Sequence, residues 1–282
     1  MKVVVDPQKL SNEVKKFKGR KKTIGFVPTM GALHHGHLSL IKQAVRDNQK
    51  VVVSIFVNPA QFGPQEDLKK YPRSLKKDLK QCLKAKVDLV FVPDAKDMYP
   101  QGHITFIEAG KLGQQLCGIS RPGHFRGVVT IVAKLLNLVD PDVLYLGQKD
   151  AQQAIIIKKM VNDLNFPVKV KIMPTVREKD GLALSSRNVY LNQEQRKDAR
   201  VLSEALSFAK LLIADGQRNT VRIIEKMKQL INRKKHAKIN YVAVVDLEEL
   251  QNLKKINKNC LIALSVRFGK TRLIDNEIIS YV

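Results

Sequence analysis

Short apolar runs alternate with amphipathic stretches through the first part of the chain. TIGFVP gives way to GHLSLIKQAVRDN, then KVVVSIFV, PRSLKKDLKQCLKAK and DLVFVP. The runs are almost wholly apolar, as in strands covered on both faces, and the stretches between them carry apolar residues at helical spacing. This pattern predicts parallel strands joined by crossover helices. An irregular stretch from Asp94 to Pro122 interrupts it. It resumes with a helix through VVTIVAKLLNLV, the strand DVLYLG, a helix from about Asp150 to Leu164 and the strand VKVKIM, which Pro174 ends. Beyond Pro174 the alternation gives way to a charged loop, helices over about 193–214 and 219–234, then YVAVVDL and LIALSVRF as antiparallel strands. The expected architecture is α/β, a Rossmann-like doubly wound parallel sheet over residues 1–175. A second, smaller α+β C-terminal domain is expected over 176–282.

Composition adds constraints. The 282 residues are 44% hydrophobic and 27% charged, as in a folded chain, and three scattered cysteines without a CxxC pair argue against a disulfide framework or zinc site. No apolar run approaches the roughly 18 residues of a membrane span. The opening MKVVVDPQKL is too short in apolar residues for a secretory signal, so a cytoplasmic location is expected. Fifty basic against 26 acidic side chains give a net charge of +24. Residues 1–175 carry 29 basic and 14 acidic side chains and the remainder 21 and 12, so the charge is spread and does not form a tail. The densest cluster, KKFKGRKK at 15–22, has no aromatics arranged to stack bases. A lysine-rich solvated surface accounts for it better than a specific nucleic-acid site, and the same field attracts small anions.

Ligands of open parallel sheets sit outside the carboxyl ends of the strands. Four stretches fall at such ends: PTMGALHHGH, NPAQF, GQKDAQQ and PTVREKDGLALSSRN. They carry glycines that let backbone N–H groups approach a ligand, helix N-termini, and the donors Lys149, Ser185, Ser186 and Arg187, all suited to phosphate. His34-x-Gly36-His37 places two imidazoles on the first turn of a helix, where they can follow charge building on a leaving pyrophosphate. Zinc binding and simple helix capping are the competing readings of HHGH. The first lacks further Cys or His ligands nearby, and the second leaves the other three stretches unexplained.

His34-x-Gly36-His37, with LSSRN far downstream, resembles the paired HIGH and KMSKS signatures of a nucleotidyltransferase superfamily. Longer strings narrow the resemblance. FVPTMGALHHGHLSLI, SIFVNPAQF, YPRSLKKDL, RPGHFRGVVTIVAKLLNLVDPD, LGQKDAQQ and REKDGLALSSRNVYL, in order across about residues 20–195, are similar to the pantoate-beta-alanine ligase (pantothenate synthetase) family. The resemblance implies ATP-dependent ligation of pantoate and beta-alanine to pantothenate through a pantoyl adenylate, releasing AMP and pyrophosphate. No protein nucleophile is needed for this, and none is apparent. It implies catalytic roles for His37, His34 and Lys149. For ATP it implies Met30, Gly31, Ala32, Leu33, His34, His35, Gly36 and His37, then Gly147, Gln148, Lys149 and Asp150, then Val176, Leu184, Ser185, Ser186 and Arg187. Gln61 and Gln153 would clasp pantoate, with Gln61, Asn58 and Tyr71 on the beta-alanine side. Mg2+ would come on the ATP phosphates without a metal site built from protein ligands, and the chain would form a homodimer. Arg121 and His124 are expected in loop and interface structure, and 177–187 as a lid over ATP. Three positions depart from the family pattern: Gln148 and Cys117, where an acid is usual, and Ala151, where an aromatic is common. Another HxGH-type nucleotidyltransferase would share the histidines without needing the amides of NPAQF and DAQQ. A nucleic-acid-binding protein with a vestigial site would show steeply salt-dependent binding.

Overall fold

The computed structural model describes residues 1–64 and 66–281. Chain order runs β1 (Lys2–Val4), α1 (Pro7–Gly19), β2 (Ile24–Thr29), α2 (His35–Asp47), β3 (Lys50–Ile55), α3 (Leu75–Lys84), β4 (Leu89–Phe91), α4 (Ala95–Met98), α5 (Cys117–Ser120), α6 (His124–Val139), β5 (Val143–Gly147), α7 (Ala151–Asp163) and β6 (Lys169–Met173). Then come α8 (Gln193–Ala199), α9 (Val201–Ala214), α10 (Thr220–Asn232), β7 (Ala237–Asp246), β8 (Cys260–Phe268) and β9 (Thr271–Ile279).

The first six strands make one parallel sheet in the order β1-β4-β3-β2-β5-β6, and the last three an antiparallel sheet in the order β7-β8-β9. The expected α/β architecture with a smaller α+β part is the one observed. From β2 the chain builds outward through β3 to β4, then returns to the other side of β2 to lay down β5. The strand order therefore reverses between β2 and β5, and the crevice beyond their carboxyl ends is where such sheets bind ligands.

Apolar strands lie where both faces are covered. Ile24, Phe26 and Val52 join the core on one face of the large sheet, while Val27, Val51 and Val53 join the core on the other. The small sheet is sandwiched in the same way. On β7, Val242 and Val244 pack with α9 and α10, whereas Ala243 and Val245 join the core of the large sheet, as do Leu261 and Ala263 of β8. One hydrophobic core thus runs across residue 175.

Two strands escape the sequence pattern. β1 has only three residues, too few for a periodic signal, and gains its identity by pairing with β4 through the register Lys2↔Leu89 to Val4↔Phe91. β9 reads TRLIDNEII, whose Asp275 and Asn276 spoil an apolar pattern although both are buried. The helix expected over 193–214 is divided at Arg200 into α8 and α9.

Candidate active site

The four strand-end stretches meet around a cavity of about 230 Å³. Met30, His34, Gly36 and His37 line it from β2–α2, Gly147, Lys149, Asp150 and Gln153 from β5–α7, and Val176, Leu184, Ser185, Ser186 and Arg187 from the loop after β6. Asn58, Gln61, Tyr71, Arg121 and His124 complete the wall. Gly31, Ala32, Leu33, His35 and Gln148 do not line it, and His35 is exposed.

The histidine pair is set by the start of α2. His34 is the N-cap; its Nδ1 accepts from the Gly36 N–H at 3.2 Å, and the His37 Nδ1 accepts from the His34 N–H at 3.3 Å. Each neutral ring therefore carries its proton on Nε2. The rings lie 4.0 Å apart. Burial, with Lys149 next in weight, lowers the His34 pKa to about 4; burial and then His34 lower His37 to about 3. Both are neutral N–H donors near pH 7. Gly36 is required by close approach: a Cβ there would lie 2.9 Å from His34 Cε1, displacing the ring. Helix capping and phosphate donation, competing readings of HHGH in the sequence, are thus compatible uses of opposite ring nitrogens.

The loop before α2 is held from below by a residue that sequence reasoning passes over. Asp78 of α3, 1% exposed, accepts the Ala32 N–H at 2.9 Å and the Leu33 N–H at 2.8 Å. Ala32 sits at φ 49°, a left-handed conformation that this paired acceptance helps to hold. In the sequence Asp78 is visible only as one acid in a lysine-rich helix.

Gln61, whose amide nitrogen contacts Met30 Sδ at 2.8 Å, is buried, and Asn58 more so. The Asn58 amide donates to Gln61 Oε1 at 3.2 Å and to the Gly127 carbonyl at 3.0 Å, and its oxygen accepts from Tyr99 at 2.8 Å and from the Ala60 N–H at 3.3 Å. Asn58 is thus occupied in orienting Gln61. The close packing of α6 on this turn needs Gly127, where a Cβ would lie 2.2 Å from the Ala60 carbonyl oxygen. Gln153 lines the cavity without a side-chain partner among the described residues, whereas its neighbour Gln152 is spent on Cys117 N, Leu112 O and Gln115 O. The buried Ser54 and Thr175 hydroxyls also line the cavity and lack partners among the described residues. Ser54 is hidden inside an apolar strand string.

Arg121 and His124, expected in loop and interface structure, line the cavity. Arg121 binds both carboxylate oxygens of Glu66, at 2.5 and 2.7 Å, and meets His124 Nε2 at 2.7 Å; His124 Nδ1 donates to the Gln61 carbonyl at 2.8 Å. Arg187 forms a two-pronged pair with Asp67 at 2.9 and 3.0 Å, and Ser186 meets the Tyr71 hydroxyl at 3.3 Å. Lys149 lies 3.4 Å from the Asp150 carboxylate. Burial raises the Asp150 pKa, but Lys149, Arg187 and His37 outweigh it and hold the carboxyl below its usual value.

The small sheet supplies anchors invisible in the sequence. Asp275 clasps Arg177 at 2.6 and 3.0 Å, and Asn276 beside it donates to the carbonyls of Gln148 and Lys149. Arg196 binds Glu178 and Asp180, so the first part of the loop over 177–187 is tied down by ion pairs on both sides.

The polar groups lining the cavity are imidazole, ammonium, hydroxyl, amide and guanidinium groups, with Asp150 the carboxylate among them. Among the described residues no group of three or more His, Cys, Asp or Glu side chains comes together to hold a metal ion. No described helix is long and apolar enough to cross a membrane.

The sequence and fold are similar to those of known proteins. The pantothenate synthetase of Ruminiclostridium cellulolyticum is 51% identical over 276 residues, covering 98% of each chain. The crystal structure of pantothenate synthetase from Thermus thermophilus superposes with a TM-score of 0.93 at 42% identity, covering 98% of this chain and 99% of that one. The pantoate-beta-alanine ligase of Francisella tularensis, solved with beta-gamma ATP and beta-alanine, superposes with a TM-score of 0.80 at 37% identity, covering 99% of this chain and 97% of that one. The family profile described as pantoate-beta-alanine ligase matches residues 2–278, and the chain belongs to that family.

Proposed function

We propose that the protein joins pantoate to beta-alanine at the expense of ATP, in two steps within the one cavity. A pantoate carboxylate oxygen attacks the α-phosphorus of ATP, the bond to the bridging oxygen breaks, and pyrophosphate leaves. The beta-alanine nitrogen then attacks the acyl carbon, the acyl–phosphate oxygen bond breaks, AMP leaves, and the amine gives up its proton.

The observation that carries this reading is that one cavity wall gathers the Nε2–H groups of His34 and His37, Lys149, and the amides of Gln61 and Gln153. Neutral histidines donate hydrogen bonds that strengthen as negative charge gathers on the departing pyrophosphate. Uncharged amides hold the hydroxyls and carboxylate of a small hydroxy acid without pinning the nucleophile as tightly as a cation would. Met30, Gly36, Gly147, Asp150, Val176 and Leu184 to Arg187 bound the nucleotide side, with Asp150 toward ribose. Tyr71, whose hydroxyl meets Ser186, is assigned with Gln61 and Asn58 to beta-alanine. Magnesium on the ATP phosphates would add charge neutralisation there. Residues 1–175 form the nucleotide- and pantoate-binding part and 176–282 the part that covers ATP, in a cytoplasmic homodimer.

Pyrophosphate exchange tests the order of steps. With pantoate, magnesium and no beta-alanine, labelled pyrophosphate should pass into ATP, and this exchange should be nearly lost in His37→Ala and Lys149→Ala. Normal synthesis without exchange in wild type would overturn the adenylate route, and exchange indifferent to pantoate would point to a nucleotide-directed transferase.

A further inference from the structure

A second, smaller chamber of about 80 Å³ opens beside the main cavity and shares with it Arg121, His124, Lys149, Asp150, Gln153, Ser185 and Arg187. Its remaining wall comes from Leu116 and Cys117, Phe125 of α6, Ala151 and Gln152 of α7, and the small sheet. Cys117 and the Tyr241 hydroxyl, 3.1 Å apart, lie on one side, and Leu261, Ala263 and Leu273 give an apolar surface. Arg272 of β9 also lines it. This room is about a third of the main cavity, enough for a molecule of a few heavy atoms and too little for a nucleotide.

The cations around the two chambers are matched with carboxylates, with one exception. Arg121 holds Glu66, Arg187 holds Asp67, Lys149 faces Asp150 and Arg177 holds Asp275. Arg272 has no carboxylate within hydrogen-bond distance among the described residues. Glu66 is 3.8 Å away and already taken by Arg121, and the contact to Ser120 Oγ is 3.4 Å. Burial and the neighbouring Arg121 both disfavour charge on Arg272 and hold its pKa below that of a free guanidinium. A guanidinium kept in such surroundings has most of its five donors available for an anion.

We propose that Arg272 binds the carboxylate of the amine substrate, seating beta-alanine in the small chamber with its nitrogen toward Gln153 and the main cavity, a different seat from the Gln61, Asn58 and Tyr71 side that the family resemblance implies. The inference rests on the ligase reading above and goes beyond it, because it makes Arg272 the residue that selects an amino acid over a plain amine. Two features favour this occupant over departing pyrophosphate. The chamber is small and partly apolar, matching two methylenes between charged ends, and it joins the main cavity at Gln153 as well as at Lys149. The carboxylate of Asp150 on its wall would also favour an ammonium.

The test compares beta-alanine with its neutral amide, 3-aminopropanamide, as the second substrate. Wild type should prefer the acid by at least about tenfold in kcat/KM, the worth of one charge-assisted pair. Arg272→Gln should lose most of that preference by a rise in the KM for beta-alanine, while pantoate-dependent pyrophosphate exchange, which needs no amine, stays within about twofold of wild type. Arg272→Lys should recover part of the preference. A wild type that uses both amines equally would overturn the proposal without any variant. A preserved preference in Arg272→Gln would also overturn it, and a fall in exchange with unchanged preference would assign Arg272 to pyrophosphate. Absence of pantoate-dependent synthesis in wild type would remove the ligase reading together with this one, whereas intact synthesis with an unchanged preference removes this one alone.

Discussion

The side-chain amide of Asn276 donates to the main-chain carbonyl of Lys149 at 2.9 Å, and to that of Gln148 at the same distance. A residue in the last strand thus fixes the turn that carries the lysine of the proposed phosphate site, 127 positions earlier in the chain. Asn276 is 3% exposed, so the carbonyls it satisfies have little access to water as a substitute. Asn276→Ala should cost about 1–3 kcal/mol of stability. It should also lower kcat more than it raises the KM for ATP, because Lys149 loses its placement and not its charge. Urea unfolding with steady-state kinetics checks both, and an unchanged kcat would show that the turn holds itself.

For His37→Ala the expected outcome is a loss of kcat of about a hundredfold, the typical worth of one preorganised donor to developing charge. ATP affinity should fall less. Fluorescent-nucleotide binding beside turnover separates the two, and wild-type kcat would remove His37 from the chemistry.

Gln153→Ala should raise the KM for pantoate by about tenfold or more while ATP binding changes little, as expected when a hydrogen bond to a charged ligand is lost. Gln153 is the amide with no partner of its own among the described residues, so its removal leaves no described protein group unsatisfied. Equal losses for both substrates would place the residue elsewhere in function.

Burial is the first cause that lowers His34 to about 4, His37 to about 3 and His124 to about 4, with Lys149, His34 and Arg121 respectively adding to it. In the unfolded chain these imidazoles regain a pKa near 6.5. Between that value and the folded ones the unfolded chain binds protons that the folded chain does not, so stability falls as pH drops through this window and is flat in these groups above it. The urea midpoint should be lower at about pH 5 than at about pH 7.5, and His124→Asn should show a smaller difference. A midpoint that holds or rises on acidification would contradict the neutral, buried state of these rings.

Sequence alone determined the parallel sheet, the strand ends that carry ligand groups, and the histidine pair with its glycine, because each rests on local rules. Apolar runs covered on both faces, helical spacing between them and a cap at the first turn of a helix all act within a few residues of each other. The six ordered strings also determined the family, since their register along the chain is itself sequence information. Tertiary structure decided the rest, where the partners lie far apart in the chain. Lys2–Val4 becomes a strand only beside β4. Asp78 becomes a ligand of the Ala32 and Leu33 amides, 46 and 45 positions away. Asp275 and Asn276, which look like solvent-facing polar residues in TRLIDNEII, are buried because Arg177 and the Gln148–Lys149 turn meet them there. A polar side chain is buried where a partner offsets its lost hydration, and no pattern along the chain encodes where that partner will be.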